Sequence, residues 1–307
     1  MGIPSDPRHW RIGLVGYGEV GRILAEDLRA QDLAVSAYDI KFGSAADTGI
    51  RAHAEQSGVR LAASHTDLAS QADFIVSAVT ASQAVPVAEA CVSAVRPGAF
   101  FLDFNSASPG AKIRAAECID AGGARYVEAA VMTAISTYRI RVPLLLGGGS
   151  AAALQPLLVT LGFDATVASD KLGVASATKM CRSVMIKGLE AMVIESFTAA
   201  RAYGVEDQVV ASLVETFPGI DWEKQGAYFF RRAIQHGRRR SEEMLEAAET
   251  VREAGLEPWS AAGTAARQSW VADLADAGAF GAKDAASTGW RLDADRMLET
   301  LKARGRG

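Results

Sequence analysis

The glycine spacing at residues 16–21 restricts the fold of this chain more than any other feature. Arg11 to Lys41 reads RIGLVGYGEVGRILAEDLRAQDLAVSAYDIK. Ile12, Leu14 and Val15 make a short apolar strand, and Gly16, Gly18 and Gly21 follow at G-x-G-x-x-G spacing. Ile23, Leu24 and Leu28 then share one helical face, and Ala34 to Tyr38 restores strand character before Asp39. In such a turn the first glycine permits the sharp bend, the second lets a pyrophosphate approach the backbone, and the third lets helix and strand pack closely. The helix opens with N–H groups aimed at an anion. Gly16, Tyr17, Gly18, Glu19, Val20 and Gly21 are therefore the predicted phosphate loop of a dinucleotide site. Asp39 is placed to accept hydrogen bonds from a ribose 2′-hydroxyl. Its carboxylate would repel a 2′-phosphate, so NAD is favoured over NADP, with Lys41 as the residue that could contact such a phosphate.

The chain beyond Asp39 continues the alternation. Gly43 to Ser57 is small and polar with a helical tendency, Val59–Ala63 reads as a third strand, and Thr66–Ala69 as a short helix. FIVSAVTASQAV, Phe74 to Val85, is an apolar strand that breaks into small polar residues, as a parallel strand does at its ligand-facing end. That puts Val79 and Thr80 on the cofactor cleft. A helix from Val85 to Ala94, the strand AFFLDF, a helix over 111–121, and strands at 125–131 and 143–146 follow. The pattern predicts a doubly wound α/β domain with a mainly parallel sheet over residues 1–168. From Leu172 the character changes to one helix of some 30 residues without proline, then helical segments punctuated by Pro218-Gly219, Gly255, Pro258 and Gly278. Residues 169–307 are predicted to be an all-helical substrate and dimerisation domain. The long apolar helix is expected to be packed on all sides, partly by a second copy in a homodimer.

Composition narrows the function classes. A net charge of −4 argues against a general nucleic-acid binder. No apolar run approaches the roughly 18 residues of a membrane span, and MGIPSDPRHW has neither a basic start nor an apolar stretch, so a cytoplasmic protein is expected. Cys91, Cys118 and Cys181 are isolated, which suits reduced thiols, and neither they nor the four scattered histidines have metal-ligand spacing. No bound metal is expected.

On the long helix, Lys179, Ser183, Lys187 and Glu190 fall within ~80° of one another. A solvated polar stripe is one reading. A lysine on a buried helix beside a nucleotide cleft is the other, and it points to chemistry. As a general base near neutral pH, Lys179 would need its pKa lowered from ~10.4 to ~7–8. Partial burial beside a second ammonium, such as Lys187, can supply that shift.

Four stretches in the same order carry a resemblance: the glycine turn at 16–21, D-F-N-S-A-S-P at 103–109, the Tyr126–Gly149 segment, and G-V-A-S-A-T-K ending at Lys179. Together they resemble the β-hydroxyacid dehydrogenases and 6-phosphogluconate dehydrogenase over about residues 10–200. RRSEEMLEAAETVREAGLEP is similar to a helical C-terminal domain of poorly assigned function found joined to such NAD-binding halves. The resemblance implies that Asn105 and Ser106 help hold cofactor and substrate, and that Lys179 is the general acid/base. It also marks departures. Met132-Thr133-Ala134 stands where the family has a Ser-Gly-Gly substrate cradle, Thr137 and Arg141 replace glycines, Ser183 replaces an asparagine, and Ile186 replaces the general acid of the phosphogluconate enzymes. These imply alcohol–carbonyl redox of a small polar substrate without decarboxylation, in a bulkier pocket lined by Ser106, Met132, Thr133, Ala134 and Ser183, with Arg141 or Lys187 replacing lost anion contacts. An imine reductase-like enzyme and a non-catalytic dinucleotide-sensing protein are the alternatives, the latter opposed by retention of Lys179. The basic cluster Arg231, Arg232, His236, Arg238, Arg239 and Arg240 is read as a solvated helix face, and Tyr228-Phe229-Phe230 as packing.

Overall fold

The computed structural model describes residues 2–44, 47–281 and 289–304; residues 45–46 of the predicted helical segment 43–57 lie outside them. The chain divides into two compact units, residues 1–180 and 181–307. In the first, strands and helices alternate: β1 (Arg11–Val15), α1 (Glu19–Arg29), β2 (Ala34–Tyr38), α2 (Asp47–Gln56), β3 (Arg60–Leu61), α3 (His65–Gln71), β4 (Phe74–Ser77), α4 (Ala84–Cys91), β5 (Phe100–Asp103), α5 (Pro109–Ala121), β6 (Arg125–Val131), α6 (Ile135–Tyr138), β7 (Leu144–Gly147), α7 (Ala151–Thr160) and β8 (Ala165–Ser169). The long helix α8 (Val174–Tyr203) begins in this unit and ends in the next.

The eight strands form one sheet in the order β3-β2-β1-β4-β5-β6-β7-β8. All neighbours are parallel except β6 and β7. The exception follows from the connection. Between Val131 and Leu144 the chain forms only the one-turn α6 and a 3-10 turn at Arg139–Arg141, with no crossover helix to carry it back to the start of the sheet. Every residue of β4 and β5 is buried, as expected of central parallel strands covered on both faces. Alternation sorts them into two cores. Ile12, Leu14, Phe74, Val76, Phe100, Leu102 and Val127 pack on one face, and Val15, Ile75, Phe101 and Tyr126 on the other with α3, α4 and α5. Gly13 is there because α3 lies so close that a Cβ would come within 2.5 Å of the Leu68 side chain.

The apolar strand that begins at Phe74 ends at Ser77, ahead of the small polar residues into which it was expected to break, and the third strand keeps only Arg60 and Leu61. The order 3-2-1-4 reverses direction between β1 and β4, and their carboxyl ends therefore flank a crevice.

The second unit is helical: the rest of α8, then α9 (Glu206–Thr216), α10 (Trp222–Glu253), α11 (Trp259–Asp276) and α12 (Trp290–Arg304). The predicted breaks fall between helices, with Gly255 and Gly278 at positive φ. Phe197, Trp222, Phe229, Phe230, Val271, Leu274, Trp290 and Met297 make its core. Gly237 lets α10 and α11 approach, since a Cβ there would lie 2.7 Å from the Gln268 carbonyl oxygen. Phe229 and Phe230 pack as expected, whereas Tyr228 is exposed. The basic cluster is in part a solvated face, with Arg231, Arg238 and Arg239 exposed and Arg240 buried. Arg238 pairs with Asp273 and Asp276, and Arg240 is buried against Glu190. Within a single chain one face of α8 is left uncovered: Met185 and Met192, two turns apart on it, are 73% and 62% exposed. Among the described residues no helix is long and apolar enough to cross a membrane.

Candidate active site

The glycine turn sits at the mouth of the crevice. Gly16 has φ +90°, and a Cβ on it would lie 2.4 Å from the Ala78 carbonyl oxygen at the end of β4. At Gly21 a Cβ would lie 2.1 Å from the Gly16 oxygen, so this glycine is what lets α1 start against the turn. Gly18 caps α1 without a side-chain bond and has nothing within 4 Å of where its Cβ would be. The first and third glycines are thus filled by the protein, and the second faces open space beside the N–H groups that open α1. A pyrophosphate fits there.

Asp39 ties this turn to β2. One carboxylate oxygen accepts from the Tyr17 N–H at 2.8 Å and the other from the Lys41 N–H at 2.9 Å. A carboxylate has about four lone-pair sites, so two backbone bonds leave acceptor capacity for a ribose hydroxyl. Lys41 is exposed. The Tyr17 side chain turns inward, fully buried, with its hydroxyl 3.1 Å from His53 Nδ1, and burial pushes the phenol up to about 12. His53 Nε2 lies 2.8 Å from Glu26, which with Asp27 also holds Arg139. Arg139 is one of two non-glycine residues at positive φ (+53°) among those described. These contacts brace the phosphate loop and the 135–141 segment against α1. Glu19 is exposed in the first turn of α1, and Val20 packs partly on the core.

On the other side of the crevice Val79 and Thr80 follow β4. Asn105 accepts from the Val79 N–H at 2.7 Å through Oδ1 and donates to Ser77 Oγ at 3.0 Å through Nδ2. The next residue, Ser106, accepts from Lys179 Nζ at 2.6 Å. Lys179 is half-buried, one turn into α8. Four predicted residues therefore form one continuous structure, from Val79 through Asn105 and Ser106 to Lys179.

A buried polar layer that no predicted site residue marks stands beneath it. Asp103, fully buried at the end of β5, accepts from the Asn105 N–H at 2.8 Å, from Lys112 Nζ at 2.9 Å and from the Tyr126 hydroxyl at 2.7 Å. Lys112, also buried, donates to the Asp103 carbonyl as well. Burial and the neighbouring Asp103 raise the Tyr126 phenol well above its ordinary value. Across the strand pair from Asp103 is Glu128, which accepts from the Ala175 N–H in the first turn of α8. Carboxylates inside the apolar runs FFLD and YVEAAV were the signal that could have found them.

The remaining predicted residues lie apart. Met132 donates its N–H to the Pro143 carbonyl, Thr133 is exposed, and Ala134 caps α6 without a side-chain bond. The segment holds no glycine, and its one side-chain hydroxyl, that of Thr133, is exposed. Arg141 is exposed. Ser183 and Lys187 are buried in the helical unit, where Lys187 pairs with Glu243 at 2.5 Å. Burial lowers the Lys187 pKa and Glu243 opposes the shift.

Comparison with known proteins identifies both halves. Residues 11–163 match the NAD-binding domain of 6-phosphogluconate dehydrogenase, and residues 200–271 match a domain of unknown function, DUF1932. A conserved hypothetical protein from Sinorhizobium meliloti 1021, known by crystal structure, is 32% identical with a TM-score of 0.75, covering 94% of this chain and 96% of its own. An uncharacterised 28.5 kDa protein in the 7S RNA 5′ region of Methanothermus fervidus is 28% identical over 81% of this chain and 93% of its own. The mitochondrial 3-hydroxyisobutyrate dehydrogenase of Drosophila melanogaster is 24% identical over 70% of this chain and 65% of its own.

Proposed function

This chain belongs to the family that joins a 6-phosphogluconate dehydrogenase-type NAD-binding domain to a DUF1932 domain, and from that premise we propose that it is an NAD(P)-dependent dehydrogenase that interconverts the alcohol and carbonyl of a small polar substrate. The observation that carries this reading is the 2.6 Å contact between Lys179 Nζ and Ser106 Oγ, beside an asparagine that belongs to the wall of the cofactor crevice. When bound, the dinucleotide supplies the hydride acceptor or donor. The protein's part is to hold the substrate oxygen against Ser106 and to move its proton. Lys179 takes the proton from the substrate hydroxyl in oxidation and returns it to the new alkoxide in reduction, and Ser106 fixes the direction of the ammonium. Gly16 to Gly21 would hold the pyrophosphate, and Asp39 favours NAD over NADP because a 2′-phosphate would stand against its carboxylate.

Met132, Thr133 and Ala134 replace the family's cradle with a bulkier, less hydrogen-bonding wall, so a substrate with little dependence on a carboxylate contact suits this site, with exposed Arg141 available to an anionic group. Loss of decarboxylating chemistry follows from Ile186, which has no proton to donate. The exposed Met185–Met192 face of α8 supports a homodimer, and a monomer in sedimentation would remove that part of the reading.

The test is reduction of NAD and of NADP across hydroxy acids, sugar acids, polyols and aryl alcohols, with Lys179→Ala alongside. Turnover by the wild type that disappears in a variant with unchanged NAD affinity is the expected result. Turnover that survives the substitution would remove Lys179 from the mechanism, and binding without turnover on any substrate would leave a dinucleotide sensor.

A further inference from the structure

The contact between Ser106 and Lys179 joins two parts of the chain that are far apart in sequence, and each is anchored separately. Ser106 follows Asn105, whose N–H is fixed by Asp103 at the end of β5. Lys179 lies four residues after Ala175, whose N–H donates to Glu128 Oε1 at 3.1 Å. Asp103 and Glu128 are directly opposite partners in the parallel pairing of β5 and β6, and both are fully buried. Two adjacent strand positions therefore carry both halves of the pair.

The Glu128 side chain is confined to this task. Its other neighbour is Gly147 of β7, the residue opposite it in the antiparallel pairing. A Cβ at 147 would lie 2.3 Å from Glu128 Oε1, so only glycine leaves the carboxylate room to reach α8. Its second oxygen, Oε2, is buried and has no hydrogen-bond partner among the described residues. Keeping a buried acid with half of its acceptor capacity unused is costly for stability alone. What it does accomplish is to satisfy one orphan N–H at the start of α8 and to fix that turn to the sheet. Residues 175 and 179 are one helical turn apart, so a shift at Ala175 moves Lys179 with it.

We propose that Glu128 is a positioning residue: through Ala175 it sets the place of Lys179, as Asp103 through Asn105 sets the place of Ser106, and the strand pairing of the two acids fixes the Ser106–Lys179 distance. The proposal rests on the functional reading above for its catalytic consequence, while its structural part stands on the hydrogen bond alone. A misplacement of about 1 Å at a reacting group lowers turnover by about 100-fold.

The test uses the full chain with Glu128→Gln, which keeps an acceptor for Ala175, and Glu128→Met, which fills the same space without one. Glu128→Met should lower kcat about 10- to 100-fold with KM for NAD unchanged, and Glu128→Gln should restore it to within about 3-fold of the wild type. In a double-mutant cycle, Ser106→Ala should cost much less on the Glu128→Met background than alone, because the contact it removes is already misplaced. Hydrogen exchange in the 172–182 segment, read with NAD bound and no substrate, should speed up in Glu128→Met only. Equal kcat in Glu128→Met and wild type, equal loss in both variants, or additive effects with Ser106→Ala would overturn the proposal. If no substrate turns over even with wild type, the dehydrogenase reading is what fails, and unchanged exchange at the start of α8 in Glu128→Met would then overturn the positioning role separately.

Discussion

Replacing Lys112 by methionine tests whether the acid under the site is held by its counter-ion. Lys112 Nζ lies 2.9 Å from Asp103 Oδ1 and 2.9 Å from the Asp103 carbonyl oxygen, and both side chains are 1% exposed. Methionine is of similar length and carries no charge. Asp103 then keeps the Asn105 N–H and the Tyr126 hydroxyl but loses its only cation among the described ion pairs, with buried Glu128 directly across the strand pair. Breaking a buried pair from one side costs about 3–5 kcal/mol, most of it the stranded charge. For a unit of this size that corresponds to a fall in Tm of about 6–20 °C. Adding Asp103→Asn removes the stranded charge. The asparagine oxygen still accepts from Asn105 N–H, and its NH₂ donates to the Tyr126 oxygen. Lys112→Met/Asp103→Asn should therefore recover at least about half of the loss, a coupling of roughly 2 kcal/mol or more. Calorimetry and urea unfolding of the four proteins measure this. A single-variant cost below about 1 kcal/mol, or a double variant whose cost is the sum of the two, would refute the argument that the ion pair is held by mutual need.

Three further outcomes follow from the phosphate loop and its brace. Gly18→Ala should leave the melting temperature unchanged, since nothing lies within 4 Å of the added Cβ, yet weaken NAD binding measured by calorimetry; Gly21→Ala should destabilise the fold itself because the Cβ meets the Gly16 oxygen at 2.1 Å. The Glu26 carboxyl is held below its ordinary value first by the Arg139 hydrogen bond and then by His53. A lowered acid contributes stability above its unfolded value and loses it as pH falls through the folded one. The stability difference between wild type and Glu26→Gln should accordingly be present at neutral pH and vanish in denaturant titrations at acid pH below that lowered value; a difference that is flat with pH would contradict the assignment.

The fold was legible because its two signals are local. The glycine triplet and the alternation of apolar strands with helical faces depend on nearest neighbours along the chain, and they led to a sheet of the right kind and to a helical second half. The β6–β7 reversal was less visible. Its cause is a connection too poor in helix to make a crossover, and the residues from 132 to 143 carry no strong pattern. The site divided in the same way. Val79, Asn105, Ser106 and Lys179 each stand at the end of a strong local pattern, and the structure brings them together. The support of the site depends on register between strands: Asp103 faces Glu128 only because β5 and β6 pair as they do, and a single sequence does not disclose register. Lys187 shows the converse. Helical spacing alone grouped it with Lys179, while its actual partner, Glu243, comes from another helix.

The contact proposed to carry the chemistry also bears on the order of folding. The strand pairs of β4 with β5 and of β5 with β6 close short stretches of chain, whereas Ser106 and Lys179 are separated by 73 residues, with three more strands between them. Contacts that close long loops come late, because the entropy of closure is repaid only when the intervening chain is in place. A chain growing from its N-terminus can assemble the glycine turn and the strands around it before α8 exists. The capacity to hold a dinucleotide is therefore completed first, and the ammonium that would make it an enzyme arrives last, when β6 and β7 have paired and the start of α8 has found Glu128.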